Sequence, residues 1–202
     1  EHLMFKATKT RKNGEFSDLV SEYGGRDNAF TARDYTGYYQ TVASDQLGLM
    51  MELEADRMRN LLLDDDQIEP ERGVILEERK SRTDNNPSQR LMEQAWAATF
   101  RNHPYGIPII GWEHEIKQLS KQDLREFYDL WYAPNNAILL VGGDVEVDEV
   151  RRLAEKHYGP LEPSPGIPEH RTRPQEPPQA SARRVVLADE QVSQPYITVY
   201  QQ

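Results

Sequence analysis

Residues 1–8 read EHLMFKAT and residues 68–82 read IEPERGVILEERKSR, and these two stretches decide how the chain is understood. The first sets an acid beside an imidazole, Glu1-His2, at the head of an apolar run. The second carries Glu71 and Glu78 seven residues apart, two helical turns, so both carboxylates share one helix face. Alone, a Glu-His pair is ordinarily solvated, and so is a glutamate on a helix, which is how Glu69 and Glu77 are read. Together, an imidazole and a carboxylate from a separate helix are donors that a hydrolytic zinc ion uses, with one position left for water.

Composition narrows the alternatives. A chain of 202 residues with 37% hydrophobic content can bury one good core and allows one or two domains. A formal net charge of −10 argues against nucleic acid, whose phosphates call for clustered Lys and Arg. The absence of cysteine excludes disulfides and thiolate metal sites. No apolar run approaches the ~18 residues of a membrane-spanning helix.

Along the chain, GEFSDLVSEYGG predicts a short amphipathic helix with Phe16, Leu19, Val20 and Tyr23 on one face, stopped by Gly24-Gly25. The period then changes, and RDNAFTARDYTGYYQTVA predicts two strands joined near Arg33-Asp34. Ser44 is expected to cap a helix with Leu47, Met50, Met51, Leu53 and Met58, the methionines serving as core. Asp64-Asp65-Asp66 lacks the glycine of a calcium loop and reads as a solvated turn. A helix over about 68–82 is expected to hold Pro70 in its first turn. DNNP separates it from a helix burying Leu91, Ala95, Trp96 and Phe100.

Ser120 should cap a helix burying Leu124, Phe127, Tyr128 and Trp131, and NAILLVGGDV reads as a central strand covered on both faces. Residues 147–161 give another amphipathic helix. His103 and His114 are read as ordinary hydrogen-bonded histidines rather than ligands. The expected organisation is a domain over 1–159, a Pro-rich linker over 160–182 and, over 183–202, the opening strands of a second domain.

Three blocks carry a likeness to a known family: EHLMFKAT (1–8), GGRDNAFTARDYTGYY (24–39) and EPERGVILEERKSR (69–82), with HPYGIPIIGWE and YAPNNAILLVGGDV as further matching segments. The chain resembles the pitrilysin or insulinase (M16-type) zinc metallopeptidases, most of all their processing-peptidase and bacterial branch. The opening resembles the back half of the H-x-x-E-H motif, whose first histidine would lie three residues before Glu1. The resemblance implies an α+β fold, a mixed and largely antiparallel sheet packed against helices. It also implies two similar halves joined by a linker, of which this chain would be the catalytic N-terminal half without its start.

The resemblance further implies zinc held by His2 and Glu78, with Glu1 as catalytic base and Glu71 as a supporting acid. Glu78 lies 76 residues after His2, the spacing expected of that ligand. Asn28 and Ala29 would sit on a strand edge that takes a peptide backbone by β-augmentation. The expected activity is peptide-bond hydrolysis on a peptide or protein substrate. A second half-domain or partner subunit would complete the site with an Arg-Tyr pair, so this piece alone is expected to be inactive and to hold zinc weakly. The alternative is a non-catalytic homologue acting as a structural or partner subunit. An uncovered sheet edge is expected to pair with the terminal strands or with a second copy, giving a homo-oligomer. A periplasmic or a cytoplasmic place in a bacterium fits equally.

Overall fold

The computed structural model describes residues 1–201. Its helices are α1 (Glu15–Glu22), α2 (Leu47–Asn60), α3 (Asp65–Arg79), α4 (Pro87–Thr99), α5 (Glu113–Gln118), α6 (Lys121–Trp131) and α7 (Val147–His157). The strands are β1 (Arg26–Thr31) and β2 (Thr36–Thr41), an antiparallel pair with Asn28 opposite Tyr39 and Ala29 opposite Tyr38. This is the α+β class that the resemblance implies, with a smaller sheet of two strands. The chain forms two units, residues 1–71 with 119–169 and residues 72–118 with 170–202.

In the first unit, α1 ends as its glycines dictate. Gly24 takes a φ of +69°, and its N–H donates to the Ser21 carbonyl at 2.9 Å while Gly25 N–H donates to that of Val20 at 2.9 Å. This is a Schellman closure, which needs a residue tolerant of left-handed backbone. It delivers the chain into β1 with Phe16 and Val20 buried against Met50 and Leu53 of α2. A second cluster gathers Met4, Leu61, Leu63, Ile68 and Tyr128. The Tyr128 hydroxyl satisfies two backbone groups there, donating to the Arg57 carbonyl at 2.8 Å and accepting from Leu61 N–H at 3.1 Å. Opposite them, the opening segment is tied by Leu62 N–H to the Ala7 carbonyl and Lys9 N–H to that of Asn60, both at 2.9 Å.

Several expectations are corrected. His2–Phe5 form a single 3₁₀ turn. Ser44 starts a short 3₁₀ turn, Ser44–Gln46, that leads into α2 without a side-chain cap. The helix carrying Glu71 starts earlier, at Asp65, and gives way to a π-helical turn at Lys80–Asp84. Asp65 and Asp66 thus stand in its first turn, where carboxylates complement the helix dipole, and Pro70 falls inside it. Residues 138–140 form no strand, and Ile138 and Leu140 are 89% and 88% exposed. The segments over 183–189 and 195–200 form none either. An apolar run becomes a strand only beside a hydrogen-bonding neighbour, and among the described residues β1 and β2 form the one ladder, with a single isolated bridge between Thr8 and Leu61 besides. Phe127 is exposed, while its neighbour Tyr128 carries the buried side of α6. Ser120 caps α6 as expected, in a reciprocal capping box with Asp123.

The second unit is built around Arg79, which is 5% exposed. Its guanidinium forks onto Glu93 of α4 at 2.8 and 3.1 Å and donates to the Gly111 carbonyl at 2.8 Å. Asn86 caps α4, and Trp96 stacks on Phe100. None of the α4 side chains expected in the core is fully buried. The Pro-rich segment is anchored here at Glu176, whose carboxylate accepts the backbone N–H groups of Arg101, Asn102 and His103 at 2.8–3.0 Å.

Desolvation opposes ionisation of Glu176, but those three donors and the Arg101 charge outweigh it and hold the carboxyl at about 2. A folded-state pKa below the unfolded one gives stabilisation that is complete above the unfolded value, about 4.3, and lost as pH falls through the folded one. The amide resonances of Arg101–His103 should therefore stay unchanged from pH about 4 to about 3 and move only near pH 2. Movement centred on the ordinary glutamate value would refute the clamp.

Candidate active site

The opening turn places its side chains through two anchors. Met4 N–H donates to the Glu1 carbonyl at 3.0 Å and Lys6 N–H to that of Leu3 at 3.1 Å, closing the turn. The buried Met4 then fixes it to the core. Helix α3 meets this segment at two positions one turn apart. Gln67 Oε1 accepts from Ala7 N–H at 3.3 Å, and the Glu71 carboxylate takes both His2 and Lys6. His2 Nδ1 lies 2.7 Å from Glu71 Oε1, and Lys6 Nζ lies 2.6 Å from Oε2.

The Glu71 side chain is only 12% exposed, so its charge rests on these partners. Burial would push the carboxyl up, but the hydrogen bonds and charges of Lys6 and His2 prevail and its pKa is lowered. A carboxylate of this kind accepts a proton-bearing Nδ1, which commits any metal bond from the ring to Nε2.

Glu1, exposed at the head of the turn, accepts a hydrogen bond from the Thr31 hydroxyl, tying it to the end of β1. Asn28 is exposed on β1, and its Oδ1 accepts from the N–H of half-buried Ala29 at 2.8 Å. Glu78 lies on α3 seven residues after Glu71, with its carboxylate 2.7 Å from Arg82 Nη1. The structure thus brings His2 and Glu71 together, joins Glu1 to the strand that carries Asn28 and Ala29, and gives Glu78 a salt bridge. Among the described residues no group of three or more His, Cys, Asp or Glu side chains is arranged to hold a metal ion. The donor chemistry nonetheless fits zinc, since an imidazole backed by a carboxylate and further glutamates are its usual protein ligands.

Three participants escaped the sequence reading. Lys6 stands four residues after His2, Thr31 ends β1, and Arg57 packs against Phe5 of the opening turn. Arg57 is 1% exposed, with its guanidinium 4.5 Å from the ring centroids of Phe16 and Tyr38 and 5.2 Å from that of Phe5. It bonds Glu54 through Nε at 2.7 Å and through Nη2. Beyond it, the Tyr38 and Tyr132 hydroxyls meet at 2.6 Å, and burial pushes both phenols up. The signal for Arg57 was its place seven residues after Met50, on the face of α2 expected to be apolar.

The model of the insulinase family, peptidase family M16, matches residues 1–113, and that of the peptidase M16 inactive domain matches residues 118–202. The chain belongs to the peptidase M16 family. Zinc protease PqqE of Helicobacter pylori is 40% identical to this M16 chain over 161 residues, 80% of this chain and 36% of the relative. The crystal structure of a protease from Helicobacter pylori matches with a TM-score of 0.83 at 38% identity, covering 88% of this chain and 42% of that one. Subunit 1 of the human mitochondrial cytochrome b-c1 complex is 34% identical over 161 residues, 79% of this chain and 33% of the subunit. This M16 chain therefore spans about a third of the length of the curated relatives it matches.

Proposed function

We propose that this M16 chain supplies part of the catalytic centre of a zinc-dependent endopeptidase. The observation that carries the reading is the bond from His2 Nδ1 to the nearly buried Glu71 carboxylate, the arrangement that orients a ligating imidazole. His2, through Nε2, and Glu78 would hold the metal, which when bound supplies a Lewis acid to the scissile carbonyl. Glu1 would take the proton of the attacking water and return it to the leaving amine. Glu71 would orient His2. Asn28 and Ala29 would face the substrate backbone at the edge of β1, and a second half or partner subunit would complete the site.

The test uses the full-length protein and a pool of quenched fluorescent peptides. Hydrolysis that stops on chelation and returns with zinc is the expected result, and full turnover in excess chelator would overturn the reading. A second reading, a partner subunit without its own activity, draws on the match to the M16 inactive domain and on the likeness to a subunit of the cytochrome b-c1 complex. Full-length protein that stably binds a partner and cleaves nothing in the pool would favour it.

A further inference from the structure

We propose that Lys6 is a positioning residue of this site: its ammonium holds the Glu71 carboxylate in the orientation that accepts Nδ1–H of His2, and so selects Nε2 as the nitrogen presented to a metal. The inference rests on His2 being a ligand and adds the group that sets the ring's tautomer.

The two oxygens of Glu71 are divided, Oε1 to His2 at 2.7 Å and Oε2 to Lys6 at 2.6 Å. A carboxylate bound at one oxygen can swing about its terminal torsion, which is broad, whereas one bound at both is fixed in plane and in direction. Glu71 is 12% exposed, so water is a poor substitute for the ammonium on Oε2.

Lys6 is itself held in place. Its side chain is 25% exposed, and its backbone leaves the opening turn in an extended conformation. The residues flanking it are fastened, Phe5 against the Arg57 guanidinium and Ala7 to Gln67 and Leu62. The stem therefore projects from a segment braced on both sides, unlike a mobile surface lysine. Neutral histidine in water favours the Nε2–H tautomer, which would place its lone pair on Nδ1. The opposite tautomer needs an acceptor fixed at Nδ1, and that is what the Lys6–Glu71 pair provides.

The tautomer is read directly from nitrogen–proton correlation spectra of ¹⁵N-labelled, metal-free protein at about pH 8. The expected result is Nδ1–H at His2 in the unaltered chain, a shift toward Nε2–H in Lys6→Met, and retention of Nδ1–H in Lys6→Arg, with thermal unfolding confirming that each variant folds. Nε2–H at His2 in the unaltered chain, or Nδ1–H persisting in Lys6→Met, would overturn the proposal. In the full-length protein Lys6→Met should also weaken zinc binding about ten-fold, the lower range for loss of an outer-shell partner. Because the tautomer is read without metal, failure of the Lys6 assignment is distinct from failure of the peptidase reading, which the chelation experiment decides.

Discussion

Replacing Glu1 by glutamine in the full-length protein is expected to slow peptide-bond hydrolysis by about 10²–10⁴-fold, the range a positioned general base contributes. Glutamine has the same length and keeps a carbonyl oxygen for the Thr31 hydroxyl, so the link to β1 survives. What is lost is the capacity to accept a proton from water. The effect should fall on kcat with KM little changed, because the interaction is made in the transition state and not in substrate binding. Zinc content and unfolding temperature should match the unaltered protein. Turnover within a few-fold of normal would remove Glu1 from the chemistry.

The second large effect is on stability. Arg57→Ala should cost about 3–5 kcal/mol, the range for removing one member of a buried ion pair. The loss has two parts. Glu54 is left without its forked partner, although at 21% exposure water can compensate it in part, which pulls the figure toward the lower end. The guanidinium also fills the space between the Phe5, Phe16 and Tyr38 rings, and its removal opens a cavity among them. The cost is therefore comparable to truncating Leu53, about 2–5 kcal/mol for a buried leucine. Arg57→Lys keeps the charge but loses the planar fork, and should cost less than Arg57→Ala. Equilibrium denaturation by urea measures all three, and a loss under about 1 kcal/mol for Arg57→Ala would show that the cluster contributes little.

What the sequence made legible follows from which forces act locally. Helix α1 with its glycine closure, the β1–β2 hairpin and the Ser120 cap are set by patterns local in the chain, and each formed where its residues predict. Ile138–Leu140 did not, because a strand's existence depends on a neighbour from elsewhere in the chain. Pro70 pointed to a helix start but sits inside α3, whose first turn is supplied by Asp65 and Asp66. At the site, the family resemblance singled out Glu1, His2, Glu71 and Glu78, of which His2 and Glu71 are in direct contact. Lys6 remained invisible, since its role depends on a carboxylate 65 positions away whose second oxygen needed a partner. Arg57 could have been noticed as a charge on a buried face, but its aromatic surroundings come from the opening turn, α1 and β2.

The bond from Ala29 N–H to Asn28 Oδ1 has a bearing on how tightly any extended peptide can be held along β1. The strand already carries an internal stand-in for an incoming carbonyl, so a guest using that donor exchanges one hydrogen bond for another. Such an exchange is nearly neutral in free energy, in contrast to capture by a bare edge. Backbone docking at this position would then contribute register more than affinity, and discrimination among guests would fall to the side chains flanking it, with exposed Phe30 and Tyr39 as the nearest large apolar surfaces.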